Sequence, residues 1–256
     1  MIDPITTEII RCALLQAAED MNTTLIRSSY TPVIYEAKDC AVALLDRDHN
    51  VLGQSSGLPI FLGNLEVCTR ETERRHGRDV WREGDVWVLN DSYIGGTHLN
   101  DVTVYGPIFT GGELAGFAAS RAHWLDVGSK DPGGSMDSTS IFQEGLRLGP
   151  VKVYEGGEPC RDLHEVIGRN VRFPHATLGD LRAQVSCAIP GSGGCARSSP
   201  GGASTPSWPP ATRSSPRPSG WNARPSPPSP TAATRRPGSS TTTASTSARR
   251  CRSPSG

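Results

Sequence analysis

The apolar positions of this chain follow two patterns, one helical and one alternating. Ile5, Ile9, Ala13, Ala17, Met21 and Leu25 recur at every fourth residue and mark one stripe of a helix. Asp3-Pro4 opens that helix, with Asp as the cap and Pro at the first helical position, and Ser28-Ser29 closes it. Tyr30 to Lys38 reads as a loop or irregular strand. Asp39 to Asp46 reads as a strand, Asp46-Arg47-Asp48-His49-Asn50 as a polar turn, and Val51-Leu52 as the start of the return arm. Gly57 to Gly63 is a Gly-bounded apolar loop. Asn64 caps a helix running to about His76, with Leu65, Cys68 and Thr72 inward. Val86 to Leu89 and Pro150 to Tyr154 are short strands, the second closed by Glu155-Gly156-Gly157-Glu158. Cys160 to Asn170 has helical spacing at Leu163, Val166 and Ile167, and Leu178 to Val185 begins a further helix. These elements predict an α+β fold, a mixed or antiparallel sheet with hairpins and flanking helices.

The stretch Asn90 to Asp126 carries the densest signal. Asp101 to Tyr105 and Leu114 to Ser120 are strand-like, and Gly111-Gly112 between them is a tight-turn signal, because both residues can take positive φ. Pairing Thr110 with Glu113 in a regular ladder places Ala122 opposite Asp101 and His123 opposite Asn100. His98, Asp101 and His123 then gather at the open end of the hairpin. In a regular ladder the histidines share one face and Asp101 points to the other. All three meet only if the ladder ends or bulges near Asp101, and Gly95-Gly96 suits an irregular loop there.

Two imidazoles and a carboxylate suit a borderline divalent ion such as Zn, Mn or Fe. Asp126 is available as a further ligand or as an acceptor that orients an imidazole. With His123 it is the candidate for catalytic work. His49, His76, His164 and His175 fall in turns or on polar helix faces and receive no role. Gly95-Gly96-Thr97 lacks the spacing and lysine of a phosphate loop and reads as a turn. Cys40 reads as a small buried residue, and Glu36, taken alone, as a solvated carboxylate. Val127 to Ser138, rich in Gly, Ser and Asp, is a long irregular loop after the candidate site.

Composition adds mainly exclusions. Lys+Arg and Asp+Glu each number 26 in 256 residues, so charge gives no reason to expect nucleic acid or an anionic membrane. No apolar run approaches the ~18 residues of a spanning helix. The first residues carry no secretory pattern, and the 7 cysteines form no CxxC pair, so a cytoplasmic protein with reduced thiols is expected. From Gly191 onward Asp, Glu, Leu, Ile, Val, Phe, Tyr, Met and Lys are all absent. The expected division is therefore a foldable region 1–187 and a disordered Ser/Pro/Thr/Arg-rich tail 188–256. Nearly every tail residue has codons with G or C in the second position, Asn222 excepted. A GC-rich gene shows that bias at the third position, so the tail is expected to be a frameshift product. Shifted re-reading of 225–232 allows A-I-A-A-I-P-D-G, and of 239–246 allows F-L-D-D-D-G-I-D.

At N-D-S-Y-I-G-G-T-H-L-N-D-V-T, S-R-A-H-W-L-D-V-G and I-F-Q-E-G-L-R-L-G-P-V-K, the chain resembles the hydantoinase B/5-oxoprolinase family. D-P-I-T-T-E-I-I-R and G-D-L-R-A-Q fit as well, and the re-read strings resemble the family's continuation. Family members are longer, so the resemblance implies an N-terminal portion. It implies ATP-dependent opening of cyclic amides such as hydantoins and 5-oxoproline, or ketone carboxylation in the acetone and acetophenone subgroup. It also implies a hetero-oligomer with a hydantoinase A-type, ATP-binding subunit or domain, and a divalent metal held by Glu36, His98, Asp101 and His123. A catalytically inactive fragment that keeps the partner surface is the third reading. Gly149 stands where the family commonly has Pro, and G-S-K-D-P-G-G-S-M differs from the usual loop.

Overall fold

The computed structural model describes residues 3–188, with Ser135 excepted and Leu62 described by its backbone alone. The tail, with its expected disorder and shifted frame, lies outside the described residues. Strands β1 (Cys40–Asp46), β2 (Val51–Gln54), β3 (Val86–Leu89), β4 (Asp101–Thr110), β5 (Glu113–His123), β6 (Val151–Glu155) and β7 (Glu158–Pro159) form one sheet. Their spatial order is β2-β1-β5-β4-β3-β6-β7, and every pairing is antiparallel. Helices α1 (Pro4–Ser28), α2 (Pro32–Tyr35), α3 (Pro59–Leu62), α4 (Leu65–His76), α5 (Arg161–Arg169) and α6 (Pro174–Ala188) flank it. The α+β architecture expected from the patterning is the one observed.

The side-chain alternation of the strands divides the core into two faces. One carries Val86, Val88, Val102 and Val104 and packs against Ile167 of α5 and Leu181 and Val185 of α6. The other carries Leu45, Leu89, Tyr105 and Phe117 and packs against Leu65 and Cys68 of α4 and against Trp81. Gln184 of α6 fastens the hairpin's open end. It accepts from Trp124 Nε1 at 2.7 Å and donates to the carbonyls of Val102 and Ser120 at 2.9 and 3.3 Å.

Five expectations need correction. Tyr30 to Lys38 contains the short helix α2, because Pro32 at its first position presets helical φ. Gly57 to Gly63 contains α3, again opened by a proline. Helix α6 begins at Pro174, four residues before Leu178, since a proline is tolerated in the first turn. The apolar stripe of α1 is only half used. Leu25 is buried, but Ile5 and Ile9 are 70 % and 64 % exposed. His49 is also not a polar turn residue in the simple sense. It has φ +65°, is buried, and stacks on Phe117 with ring centroids 4.9 Å apart.

The close pairing of β1, β5 and β4 leaves no room at Gly116, which faces Asp46 on one side and Ile108 on the other. A Cβ there would lie 2.1 Å from the Leu45 carbonyl oxygen. Gly116→Ala is therefore expected to cost about 2 kcal/mol, read as a lower midpoint in urea denaturation with an unchanged slope.

Candidate metal centre

The site is built where β4 begins and β5 ends. The β4–β5 ladder starts at the turn with Thr110 opposite Glu113, as expected, but it is not regular. Phe109 pairs with Leu114 and Ile108 with Gly116, so Ala115 is the extra residue of a bulge. Every later pair shifts by one, and Asp101 comes to lie opposite His123 rather than opposite Ala122. Directly opposed residues share a face. The irregularity that unites Asp101 with His123 is thus near the turn, not near Asp101.

Asp101 is buried and its Oδ1 lies 2.8 Å from His123 Nδ1. Its Oδ2 accepts from the Thr97 hydroxyl and, at 3.3 Å, from the His98 backbone N–H. These bonds fold the Gly95-Gly96 loop back over the start of β4. The exposed His98 ring stands edge-on to the His123 ring, centroids 5.9 Å apart. Burial pushes the His123 imidazole down in pKa, but the hydrogen bond and charge of Asp101, together with the charge of Asp39, outweigh it and raise it above its ordinary value.

Asp39 is the residue the sequence reading missed. β1 pairs with β5, Cys40 opposite Ala122, and the Asp39 carbonyl accepts from the His123 N–H at 3.0 Å. Lys38 has φ +55°, uncommon for a non-glycine residue, and turns the chain from α2 into β1 at this point. The buried Oδ1 of Asp39 has no hydrogen-bond partner among the described residues. Burial pushes the Asp39 carboxyl up, His123 pulls it down, Asp101 pushes it further up and His98 pulls it down. Its only local signal was its place at the head of a strand.

Glu36 and Asp126 sit differently. Glu36 is the exposed C-cap of α2, and its carboxylate makes no hydrogen bond or ion pair among the described residues. Asp126 is fully buried. It accepts from the Gly128 N–H at 2.9 Å, from the Arg172 N–H, and from Arg172 Nη1 at 3.2 Å. It ties the loop after β5 to the α5–α6 connection. Cys40 is buried as expected, and burial with the charge of Asp39 pushes its thiol up to about 12.

The donor set can be compared with the needs of a divalent ion. The 2.8 Å contact of Asp101 Oδ1 with His123 Nδ1 is a hydrogen bond that orients the imidazole, so an ion held by this ring would be met by Nε2. Thr97 and the His98 N–H hold the other carboxylate oxygen, as outer hydrogen bonds to a ligating carboxylate do. The unpartnered Asp39 oxygen is a buried acceptor facing the same charges. Among the described residues no three His, Cys, Asp or Glu side chains already close on one point. His98 is exposed, so its ring can turn without loss of packing. The imidazoles and carboxylates gathered here are donor types that suit a divalent ion.

The sequence profile described as Hydantoinase B/oxoprolinase matches residues 3–194. The chain belongs to that family. It is 34% identical to the beta chain of the caprolactamase of Pseudomonas jessenii over 73% of its own length and 32% of the relative's. It is 32% identical to the B-type chain of a putative D-/L-hydantoinase from a Pseudomonas species, again over 73% and 32%. The chain thus spans about a third of the length of these relatives. Among solved structures, the ATP-dependent caprolactamase of P. jessenii matches with TM-score 0.68 and 34% identity over 73% of this chain and 32% of that one. An acetone carboxylase matches with TM-score 0.65 at 24% identity over 73% and 25%, a likeness of fold alone. No helix among the described residues is long and apolar enough to cross a membrane, and the five cysteines among them are free.

Proposed function

We propose that this hydantoinase B-type chain carries the metal-dependent half of an ATP-dependent cyclic-amide hydrolase. The observation that carries the reading is the meeting of Asp101 and His123 at 2.8 Å beside the exposed His98. The names of the relatives, a caprolactamase and a hydantoinase, supply the substrate class. His98, Asp101 and His123 hold the ion, with Glu36 and Asp39 as the further carboxylates. When bound, the ion polarises a carbonyl or lowers the pKa of a water. His123 holds a proton on Nδ1 toward Asp101, and Asp101 in turn is held by Thr97 and the His98 backbone. Asp126 acts through position, keeping the loop after β5 in place.

Activation of the amide falls to a hydantoinase A-type ATP-binding partner, in a hetero-oligomer. The ketone-carboxylase alternative has weaker support, because the acetone carboxylase likeness lies in the fold. The described residues contain no phosphate loop of recognisable type. The isolated chain is therefore expected to hydrolyse no ATP, and its mixture with the partner is expected to open 5-oxoproline or a hydantoin without bicarbonate. ATPase activity that follows the pure chain through successive columns contradicts the division of labour. A strict need for bicarbonate contradicts the hydrolase reading.

A further inference from the structure

Arg121 lies on β5 two residues before His123, on the same face of the sheet and about 7 Å along it. It is 0% exposed. Its Nε donates to Thr103 Oγ1 at 2.7 Å and its Nη2 to Cys68 Sγ at 3.4 Å, while Nη1 has no partner among the described residues. No carboxylate pairs with it among those residues. Cys68 supplies no anion, because burial pushes its thiol up more strongly than Arg121 pulls it down. Asp101, two residues along the same face, is committed to His123, Thr97 and His98. An arginine cannot shed its proton, and a buried charge without a counter-ion costs several kcal/mol. Other buried carboxylates here have a partner of opposite charge or hydrogen-bond donors: Asp126 and Asp85 ion-pair with Arg172 and Lys152, and Asp180 accepts from Tyr30 and Thr31.

We propose that Arg121 is an anion-binding residue, receiving an oxyanion of the small molecule whose carbonyl lies at His98, Asp101 and His123. This rests on the metal-centre reading for where the carbonyl lies. The oxyanion is a carboxylate or a phosphoryl group, either of which matches the planar fork of a guanidinium. The free Nη1 is the donor left for it. Phe61 covers the guanidinium, its ring centroid 5.9 Å away. Phe61 is itself buried, on α3, a four-residue helix without a side-chain cap. Entry of the anion requires that segment to lift.

The test is thermal denaturation of the full chain at fixed ionic strength with inorganic phosphate, 5-oxoproline, or the uncharged γ-butyrolactam. A probe at a hundred times its Kd is expected to raise Tm by roughly 5–10 °C. One or both anions produce that rise and γ-butyrolactam does not; the anion acting at lower concentration identifies the source. Arg121→Met is expected to keep or raise the basal Tm, as loss of an unpaired buried charge does, and to abolish the rise. Arg121→Lys, which keeps the charge but not the fork, is expected to need at least about tenfold more anion. It serves alone if Arg121→Met does not fold. His98→Ala retains the anion response while losing metal, so failure of the metal reading is seen separately. No rise with either anion, a rise kept by Arg121→Met, or an unchanged half-point in Arg121→Lys overturns the proposal.

Discussion

Alanine at His123 or at His98 is expected to abolish stoichiometric binding of a divalent ion by the full chain. Each change removes an imidazole nitrogen, one of the strongest neutral donors for Zn, Mn or Fe. His123→Ala has the larger effect, because it also leaves the Asp101 carboxylate without the imidazole that lies 2.8 Å from it. Losing an outer hydrogen bond to a ligand alone weakens metal sites by roughly 10- to 100-fold, so loss of a donor itself is expected to exceed that. His76→Ala is the control. Its ring lies against Trp87 and the Pro150 carbonyl, outside the cluster. Metal-to-protein ratio after dialysis decides the matter. Equal ratios in all three variants remove His98 and His123 from the site.

Asn90→Ala is expected to give the largest loss of stability near the site. Asn90 is buried, and its side chain makes three hydrogen bonds. Nδ2 donates to the carbonyls of Leu99 at 2.6 Å and Leu146 at 2.9 Å, and Oδ1 accepts from the Leu148 N–H at 2.6 Å. One side chain thus joins the end of β3, the loop bearing His98, and the segment leading to β6. Alanine strands two carbonyls and one N–H, at roughly 1 to 3 kcal/mol each. A loss of about 4 kcal/mol is expected, which lowers Tm by roughly 8–16 °C. A fall of only a degree or two means that water takes over these bonds and that the loop is held elsewhere.

Much of the fold was legible because local chemistry fixed it. Asp3 caps α1, its Oδ2 accepting the Thr6 N–H at 3.2 Å, and Gly111 and Gly112 take the positive φ their turn requires. The gathering of Asp101 and His123 was legible too, but by an incorrect register. The bulge at Ala115 depends on how β5 fits between two neighbours, including the crowding at Gly116, and a hairpin read alone does not contain that neighbour. Asp39 was hidden for the same reason. It reaches His123 only because β1 pairs with β5 across some eighty residues of sequence. Arg121 reads in sequence as an ordinary polar strand residue. Only the packing of Phe61 and α4 over it shows a charge left without a counter-ion. Ile5 and Ile9 show the converse, since helical periodicity predicts a stripe but not how far the sheet extends beneath it.

The most direct test of the metal centre is X-ray absorption spectroscopy of the full chain loaded with Zn or Mn. The proposed site gives a shell of mixed nitrogen and oxygen donors, with outer-shell scattering from two imidazole rings that falls to one in His98→Ala or His123→Ala wherever residual metal persists. A loaded ion without imidazole scattering, or with the same spectrum in wild type and both variants, contradicts it.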